Sequence, residues 1–354
     1  MLGGHRPLGA LQAVAAEVAE DTAVCHSVIV PDVELITRDD IRRTYLAIRP
    51  YLRRTPVVQV DLGELAGAGP QAVPTAASLT PVSLKLEQLQ CAGSFKARGA
   101  FANLLLRDIP GSGVVAASGG NHGVAVAYAA HQLGVPAKIF VPSVSAPAKI
   151  ERIQRLGADL VIAGDRYADA LAAAQQWAES SGAMSVHAFD QRETILGQGS
   201  VALELAEQVD ELDTVLVPVG GGGLIAGIAA YLGDTVRIVG VEPDGAPTLT
   251  VARTRGKPAD APAGSIAADA LAPRRVGDLV FPLTESYVDE VVLVDDDSIR
   301  EAQSALWQAL RIAAELAAAV GVAALRTGAY LPAPGEHVAV VISGANLAPS
   351  QLDG

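Results

Sequence analysis

Cysteine is scarce in this chain of 354 residues, which excludes disulfide-stapled scaffolds and cysteine-rich zinc modules. Only Cys25 and Cys91 occur, far apart along the chain, and neither belongs to a pair with metal-ligand spacing. No disulfide framework is expected, and a reducing, cytoplasmic compartment fits this composition.

Positive charge is also in short supply. Lys and Arg number 26 against 39 Asp and Glu, which gives a formal net charge of −13. Acidic residues are scattered along the chain, so no basic surface is predicted that could neutralise phosphates. We therefore expect a soluble protein without a nucleic-acid partner.

No stretch of the sequence has the features of a membrane span. The uncharged run Val215 to Gly233 contains Pro218 and six glycines. It is better interpreted as a buried strand, a loop and a buried helix. The N-terminus has one basic residue, Arg6, before its acidic residues, which is not the pattern of a signal peptide. The prediction is that no membrane is involved.

Strand and helix patterns alternate along most of the chain. Short runs rich in Val, Ile and Leu precede helical patterns, which indicates parallel sheets covered on both faces. Half of the residues are hydrophobic, and the length favours about two domains. The predicted fold class is α/β. The predicted strands include 55–60, 81–87, 114–117, 137–141, 160–162, 214–219, 236–241 and 338–342.

One lysine stands in a loop of small residues between a predicted strand and a predicted helix. The loop reads Gly93-Ser94-Phe95-Lys96-Ala97-Arg98-Gly99, and the apolar helix pattern follows from Ala100. Partial burial would lower the pKa of the Lys96 amine, and the neutral amine is the form that attacks an aldehyde. A surface lysine at a helix start fits the same pattern, so this loop alone leaves both interpretations open.

A second loop, Ser118-Gly119-Gly120-Asn121-His122-Gly123, directly follows a predicted strand and opens a helix. Backbone N–H groups at such a helix start can bind a carboxylate or a phosphate. A tight turn with Asn121 as the helix cap fits equally well. His122 has two interpretations, as part of an anion site or as an ordinary residue of the first helical turn.

A third loop holds four consecutive glycines, Gly220 to Gly223, followed by Leu224. Without Cβ atoms the backbone can wrap closely around a phosphate at the start of the helix. The loop and Ala226 also satisfy the G-x-G-x-x-A pattern of dinucleotide sites, with Glu242 at the end of the next strand. An NAD site is therefore an alternative, although it gives Lys96 no role.

The last predicted strand ends at Ile342-Ser343-Gly344-Ala345-Asn346. The hydroxyl of Ser343 could meet a ring nitrogen, or the segment could be an ordinary turn. Because ligands bind at the carboxyl ends of parallel strands, these four loops are expected to share one site. An amine, a phosphate cradle, a carboxylate cradle and a ring-nitrogen partner are the contacts that pyridoxal phosphate requires.

These motifs, in this order, resemble the serine/threonine dehydratase branch of the fold-type II pyridoxal-phosphate enzymes, which includes threonine deaminase and serine racemase. The resemblance extends from about Ile36 to Leu347. Shorter segments agree as well, among them 149–159, 187–190, 197–200 and 240–243. The resemblance implies the tryptophan synthase β-like fold, with two domains that each hold a mostly parallel sheet flanked by helices.

Domain limits follow from the same resemblance. Residues 33–101 and 191–347 would form a large cofactor-binding domain, and 102–190 a small domain. Residues 1–32 would be an N-terminal extension, interpreted as disordered or as an oligomer contact, and 348–354 a tail.

The resemblance also implies roles for individual residues. Lys96 would be the catalytic Schiff-base lysine, Phe95 would pack near the cofactor ring, and Asn121 would bond its ring hydroxyl. Ser343 would face the pyridine nitrogen. The cofactor phosphate would be bound by Gly220, Gly221, Gly222, Gly223 and Leu224. The substrate carboxylate would be bound by Ser118, Gly119, Gly120, Asn121 and His122.

The chain departs from its relatives at two places. Where serine racemases have a second loop serine that acts as an acid and base, this chain has Gly119, so racemisation by that route is not expected. The relatives' cation site would fall on Glu242, Ala246 and Thr248, and a threonine is a weak ligand for a hard cation. A metal at Glu242 and Ala246 is therefore only weakly indicated.

The expected function is pyridoxal-phosphate-dependent dehydration and deamination of L-threonine or L-serine to a 2-oxo acid and ammonia. Alternatives are elimination or replacement on another β-substituted amino acid, as in 3-hydroxyaspartate dehydratase or cysteine synthase, an NAD-dependent oxidoreductase, and a cofactor-free binding protein. A homodimer is the expected assembly. Glu315 has two interpretations, as a substrate-positioning residue or, the favoured one, as part of a solvated helix face. His187 and Asp190 are interpreted as loop-shaping residues.

Overall fold

The strands of the described chain form two sheets. The computed structural model describes residues 36–65, 80–145, 147–271 and 273–351. The predicted extension 1–32 and the end of the predicted tail lie outside these ranges. The strands are β1 Val57–Asp61, β2 Pro81–Leu86, β3 Val114–Ala117, β4 Ala137–Val141, β5 Asp159–Ile162, β6 Met184–Ser185, β7 Thr214–Pro218, β8 Arg237–Pro243, β9 Glu290–Val294 and β10 Val338–Ile342.

Helices follow most of these strands. They are α1 Arg38–Ile48, α2 Lys96–Leu106, α3 Asn121–Leu133, α4 Pro147–Arg155, α5 Tyr167–Ser181, α6 Arg192–Gln208, α7 Gly223–Leu232, α8 Thr248–Arg255, α9 Val280–Tyr287, α10 Asp296–Leu310 and α11 Leu316–Thr327. Within the described ranges, none of them is long and apolar enough to cross a membrane. As predicted, the uncharged run divides into β7, the glycine loop and α7.

Both sheets are mostly parallel. In the described chain the larger sheet has the order β1-β2-β10-β7-β8-β9 and the smaller one β5-β4-β3-β6. Neighbouring strands run parallel except at the edge, where β1 pairs antiparallel with β2. This arrangement confirms the predicted α/β fold class with two mostly parallel sheets.

Burial on both faces explains why the strands are continuously apolar. Along β10, Val338 and Val340 pack in the cluster that contains α10 and α11. The intervening Ala339 and Val341 pack in the cluster that contains α6 and α7. Successive side chains of a strand point to opposite faces, so a sheet covered on both sides needs apolar residues at every position.

The helix starts follow their capping residues. Thr37 caps α1 in a capping box with Asp40, and Asp295 caps α10 by accepting the N–H of Ser298. Thr37 followed by Asp39 and Asp40 is the start that the sequence predicts for α1, whereas the pattern Ser298 to Leu310 predicts α10 two residues later than it begins. The apolar pattern Ile312 to Leu325 predicts a helix that begins at Ile312, and this prediction is wrong. Arg311 ends α10 in a left-handed conformation with φ +57°, and α11 begins only at Leu316.

Candidate active site

A cavity of about 680 Å³ lies where the carboxyl ends of strands from both sheets meet. Its wall contains residues from all four loops that the sequence singled out. The structure thus brings together every predicted cofactor and substrate residue, namely Phe95, Lys96, Ser118, Gly119, Gly120, Asn121, His122, Gly220, Gly221, Gly222, Gly223, Leu224 and Ser343.

Lys96 is the first residue of α2, and its amine lies in the cavity wall. Its Nζ donates a hydrogen bond to the carbonyl oxygen of Ala188 at 2.7 Å and stands 5.0 Å from the ring centroid of Phe95. Burial lowers the pKa of this amine to about 8, although the carboxylate of Glu315 partly opposes the shift. At pH 7 roughly a tenth of the amine is then neutral and nucleophilic.

A buried ion network fixes the helix that carries Lys96. Arg98, two positions further along, is fully buried and donates to the carboxylates of Glu87 and Glu204 at 2.7 and 2.9 Å. Lys85 donates to the same Glu204 at 2.7 Å. These bonds tie α2 to β2 and α6. None of the four charges has access to water, so each depends on its partners in the network. The start of α2 therefore has little freedom to move.

The glycine loop wraps tightly at the start of α7. Gly222 has φ +84°, a left-handed conformation that favours glycine. A Cβ on Gly221 would lie 2.3 Å from a ring carbon of Phe189, so this position has no room for a side chain. The bare backbone and the N–H groups at the start of α7 line the cavity, which is the geometry of a phosphate site.

The loop after β3 is held by its own side chains. The N–H of Gly120 donates to the hydroxyl of Ser118 at 3.1 Å. His122 is buried, with Nε2 2.9 Å from the carbonyl oxygen of Val186, so Nε2 carries the proton. Burial, reinforced by the charge of Lys96, lowers the pKa of His122 to about 3. The imidazole is therefore neutral and anchors the loop to the chain that follows β6.

Ser343 lies at the end of β10 and is only 3% exposed. Its carbonyl oxygen accepts the N–H of Phe95 at 3.1 Å, and Gly344 forms a β-bridge with Ser94. Through these contacts the end of the sequence holds the lysine loop in place.

The interpretation of Glu315 as part of a solvated helix face is wrong. The residue is 7% exposed, directly precedes α11 and lines the cavity. Its Oε1 accepts a hydrogen bond from Nδ2 of Asn121 at 2.6 Å. The sequence did contain a signal, because α11 is apolar on every face and a helix of this kind must be buried together with the residue that precedes it.

Two more cavity residues were given no role by sequence reasoning, although one of them, Asn346, belongs to the fourth predicted loop. Arg152 on α4 and Asn346 after β10 both line the cavity and form a hydrogen bond to each other. Asn346 looked like part of a strand-ending turn, and Arg152 belongs to a polar helix pattern of ordinary appearance. His187 and Asp190 do shape a loop as predicted. Asp190 accepts the N–H groups of Asp278 and Leu279 just before α9.

The carboxylate of Glu242 is engaged by the start of α8. It accepts the N–H of Leu249 at 2.6 Å, and both the N–H and the hydroxyl of Thr250, at 3.0 and 2.8 Å. The residues that the structure describes contain no group of three or more His, Cys, Asp or Glu that could hold a metal ion. A cation at Glu242 and Ala246 stays a weak prediction from the sequence.

The cavity fits pyridoxal phosphate. The backbone cradle at the start of α7 is made of glycines, and at Gly221 the ring of Phe189 leaves no room for a side chain. The partly neutral amine of Lys96 and the buried hydroxyl of Ser343 line the same cavity. An aldehyde partner, a phosphate site and a neutral ring-nitrogen partner are thus present together.

Comparison with known proteins agrees with this fit. Residues 48–344 match the family described as pyridoxal-phosphate dependent enzyme. The L-threonine ammonia-lyase of Thermotoga maritima is 35% identical over 90% of this chain and 78% of its own length. The phenylserine dehydratase of Ralstonia pickettii is 37% identical over 84% of this chain and 90% of its own length.

The fold of a solved structure also agrees with this family. Maize serine racemase superposes with a TM-score of 0.81 at 33% identity, over 89% of this chain and 95% of its own. The family match decides against the NAD interpretation of the glycine loop and against a cofactor-free binding protein. The cavity, the fold and these similarities agree: the chain belongs to the family of pyridoxal-phosphate-dependent enzymes and has the fold-type II architecture of serine racemase and threonine deaminase.

Proposed function

We propose that this protein is an ammonia-lyase that dehydrates and deaminates L-threonine or L-serine, releasing a 2-oxo acid and ammonia. Its similarity to L-threonine ammonia-lyases supports this reaction class. The observation that carries the proposal is the position of Lys96. Its partly neutral amine shares one cavity with two loops built to bind anions.

In this proposal each loop has one task. The glycine loop and the start of α7 bind the cofactor phosphate, and the Ser118 to Gly120 loop binds the substrate carboxylate. Bound pyridoxal phosphate withdraws electrons from the substrate Cα and makes its proton acidic. Lys96 accepts that proton, because its lowered pKa leaves an amine able to act as a base near neutral pH.

The residue assigned to the ring nitrogen favours elimination. A carboxylate there would hold the nitrogen protonated, but the hydroxyl of Ser343 need not. With the cofactor bound, charge at Cα would then be less delocalised, and departure of the β-hydroxyl would be the faster reaction. Water is lost in this step and regained when the released product hydrolyses, so the substrate is converted to a 2-oxo acid and ammonia without an oxidant.

The geometry around Gly119 speaks against racemisation. A Cβ at this position would lie 2.0 Å from Oγ of Ser145 and 2.6 Å from its Cβ. Both atoms belong to a short side chain, so a serine at position 119 would require movement of the backbone. The loop thus has neither a hydroxyl at position 119 nor room for one, and Lys96 is the only proton carrier that we assign.

The test begins with the absorption spectrum of the purified protein, before and after borohydride reduction. We expect a visible band that borohydride removes and that Lys96→Ala lacks, whereas the exposed-lysine control Lys257→Ala keeps it. Release of 2-oxo acid from threonine, serine and 3-hydroxyaspartate is then measured. A loaded enzyme that acts on neither threonine nor serine contradicts the proposed reaction, and turnover of 3-hydroxyaspartate or a β-replacement reaction would take its place.

For the location and assembly of the protein, we propose a cytoplasmic homodimer. The cysteine content supports a reducing compartment, and Cys91 is buried with a free thiol. Two-fold dimers are the commonest soluble assemblies, which supports the second part. Light scattering on the purified protein measures the assembly directly, and a monomeric mass would contradict it.

A further inference from the structure

A line of hydrogen bonds connects four side chains along the cavity wall. Arg152 of α4 donates from Nη1 to Oδ1 of Asn346. Nδ2 of Asn346 donates to Oδ1 of Asn121 at 2.8 Å, and Nδ2 of Asn121 donates to Oε1 of Glu315 at 2.6 Å. The two ends of this line are a cation that can only donate and a carboxylate that, when ionised, can only accept.

The two ends determine the orientation of both amides between them. Because Arg152 requires an acceptor, Asn346 must turn its oxygen towards the guanidinium and its NH₂ group the other way. That NH₂ group then donates to the carbonyl oxygen of Ala92 at 3.0 Å as well as to Asn121, so both of its protons are used. If the amide of Asn121 were turned round, its NH₂ group would face the NH₂ group of Asn346, and its oxygen would face the carboxylate of Glu315. Neither pair can form a hydrogen bond.

One donor is left over in this arrangement. The amide nitrogen of Asn121 has two protons, and Glu315 takes one of them. The second N–H belongs to a side chain in the wall of the cofactor cavity. An N–H donor stabilises an anionic oxygen, and the ring hydroxyl of pyridoxal phosphate is the oxygen that this donor suits.

We propose that Arg152, Asn346 and Glu315 are positioning residues that lock Asn121 as a hydrogen-bond donor to the ring oxygen of the cofactor. The inference rests on the cofactor site described above and extends the role of Asn121 within it. Arg152 acts at a distance from the cofactor through two successive amides. The line would hold the ring oxygen as an anion and so favour the form of the cofactor that absorbs visible light.

The line also joins the two sheets. Arg152 and Asn121 lie on helices that flank the smaller sheet, and their partner Asn346 follows β10 of the larger one. The orientation of Asn121 is therefore correct only when the two sides of the cavity have the separation described here. Residues 194 apart in sequence form the contacts at both ends of the line.

The decisive variant is Asn346→Asp in the cofactor-loaded full-length protein. A carboxylate at position 346 still accepts from Arg152 but has no proton to give to Oδ1 of Asn121. We expect part of the cofactor absorption to move from the visible band to the near-ultraviolet band of the neutral ring hydroxyl. We also expect the Kd for pyridoxal phosphate to rise about tenfold. An unchanged band ratio and an unchanged Kd would overturn the proposal.

Arg152→Gln provides a second, milder variant, because it removes the cation and keeps a polar side chain. Its matched control is Arg155→Gln on the same helix, where the exposed arginine pairs with Glu151 at the surface. We expect a shifted band ratio for the first and the wild-type ratio for the second, at equal melting temperature. If Asn346→Asp fails to fold, Arg152→Gln decides, and a wild-type spectrum would refute the proposal.

These readouts do not depend on turnover. If the wild-type protein holds the cofactor on Lys96 but converts neither threonine nor serine, the proposed function fails and the spectra still test the locked amide. If threonine is converted and the variants have unchanged spectra, the proposed function stands and the locked amide is wrong.

Discussion

At the scale of single residues, the environment of one amine decides the chemistry. Lys96 has an ordinary side chain in an environment that disfavours its charge, and the pKa of about 8 is the result. The same burial lowers the pKa of His122 to about 3, which makes its neutral imidazole a weak base, and we assign no proton transfer to it. Two neighbouring groups that titrate so far apart have different roles.

A pH dependence follows from the lowered pKa of Lys96. Only the neutral amine attacks the aldehyde, so capture of pyridoxal phosphate by the cofactor-free protein should become faster as pH rises and level off above about 8. Below that pH the rate should fall about tenfold per pH unit. Stopped-flow absorbance between about pH 6 and pH 9 measures it.

Glu315→Gln is the companion variant for this measurement. The carboxylate holds the pKa of Lys96 up, so its removal should shift the midpoint to lower pH. A midpoint near the ordinary lysine value of 10.5 in the wild-type protein would mean that the amine is solvated, contrary to its position here.

At the scale of elements, α2 is fastened by charge and not by apolar contacts alone. Arg98, Lys85, Glu87 and Glu204 form a fully buried set with two charges of each sign. Removing one member leaves a buried charge without a partner or water. This loss destabilises the fold by more than the intact set stabilises it. The network places the start of α2, and hence Lys96, with little freedom.

Arg98→Met should therefore lower the free energy of unfolding by about 3–5 kcal/mol and weaken cofactor binding with it. Urea unfolding monitored by circular dichroism measures the first, and titration with pyridoxal phosphate the second. The control is Arg42→Met, which removes an exposed pair with Asp39 and should change stability little. If both variants lose the same small amount, the buried network does not support α2.

At the scale of the whole molecule, the cofactor site contains loops from both sheets. The glycine loop and Ser343 follow strands of the larger sheet, and Asn121 follows β3 of the smaller one. A ligand that contacts both groups binds the folded state alone. It should stabilise the protein by about 2.7 kcal/mol at one hundred times its Kd.

Differential scanning fluorimetry of the cofactor-free protein tests this linkage. Pyridoxal phosphate should raise the melting temperature clearly more than an equal concentration of pyridoxal, because pyridoxal lacks the group that the start of α7 is built to bind. Equal shifts from the two compounds would contradict the assignment of the glycine loop as the phosphate site.

The sequence by itself determined the fold class and the four loops. Strand β10 was predicted with its observed bounds, 338–342, because an uninterrupted apolar run followed by Ser-Gly is a local signal. Sequence reasoning missed α6, which contains Gly197 and Gly199 and is buried along most of its length, so it lacks the amphipathic period that marks a helix. It also missed β9, three of whose five residues are only partly buried.

Only the tertiary structure decided which side chains serve the site beyond these loops. Arg152 and Asn346 show no local pattern that sets them apart from ordinary polar residues, and the apolar helix after Glu315 indicates burial of that residue but not its partner. They acquire their roles from partners about two hundred positions away along the chain. Which way a hydrogen-bonded amide is turned depends on the groups on both sides of it in space. The order of residues along the chain does not indicate which groups these are.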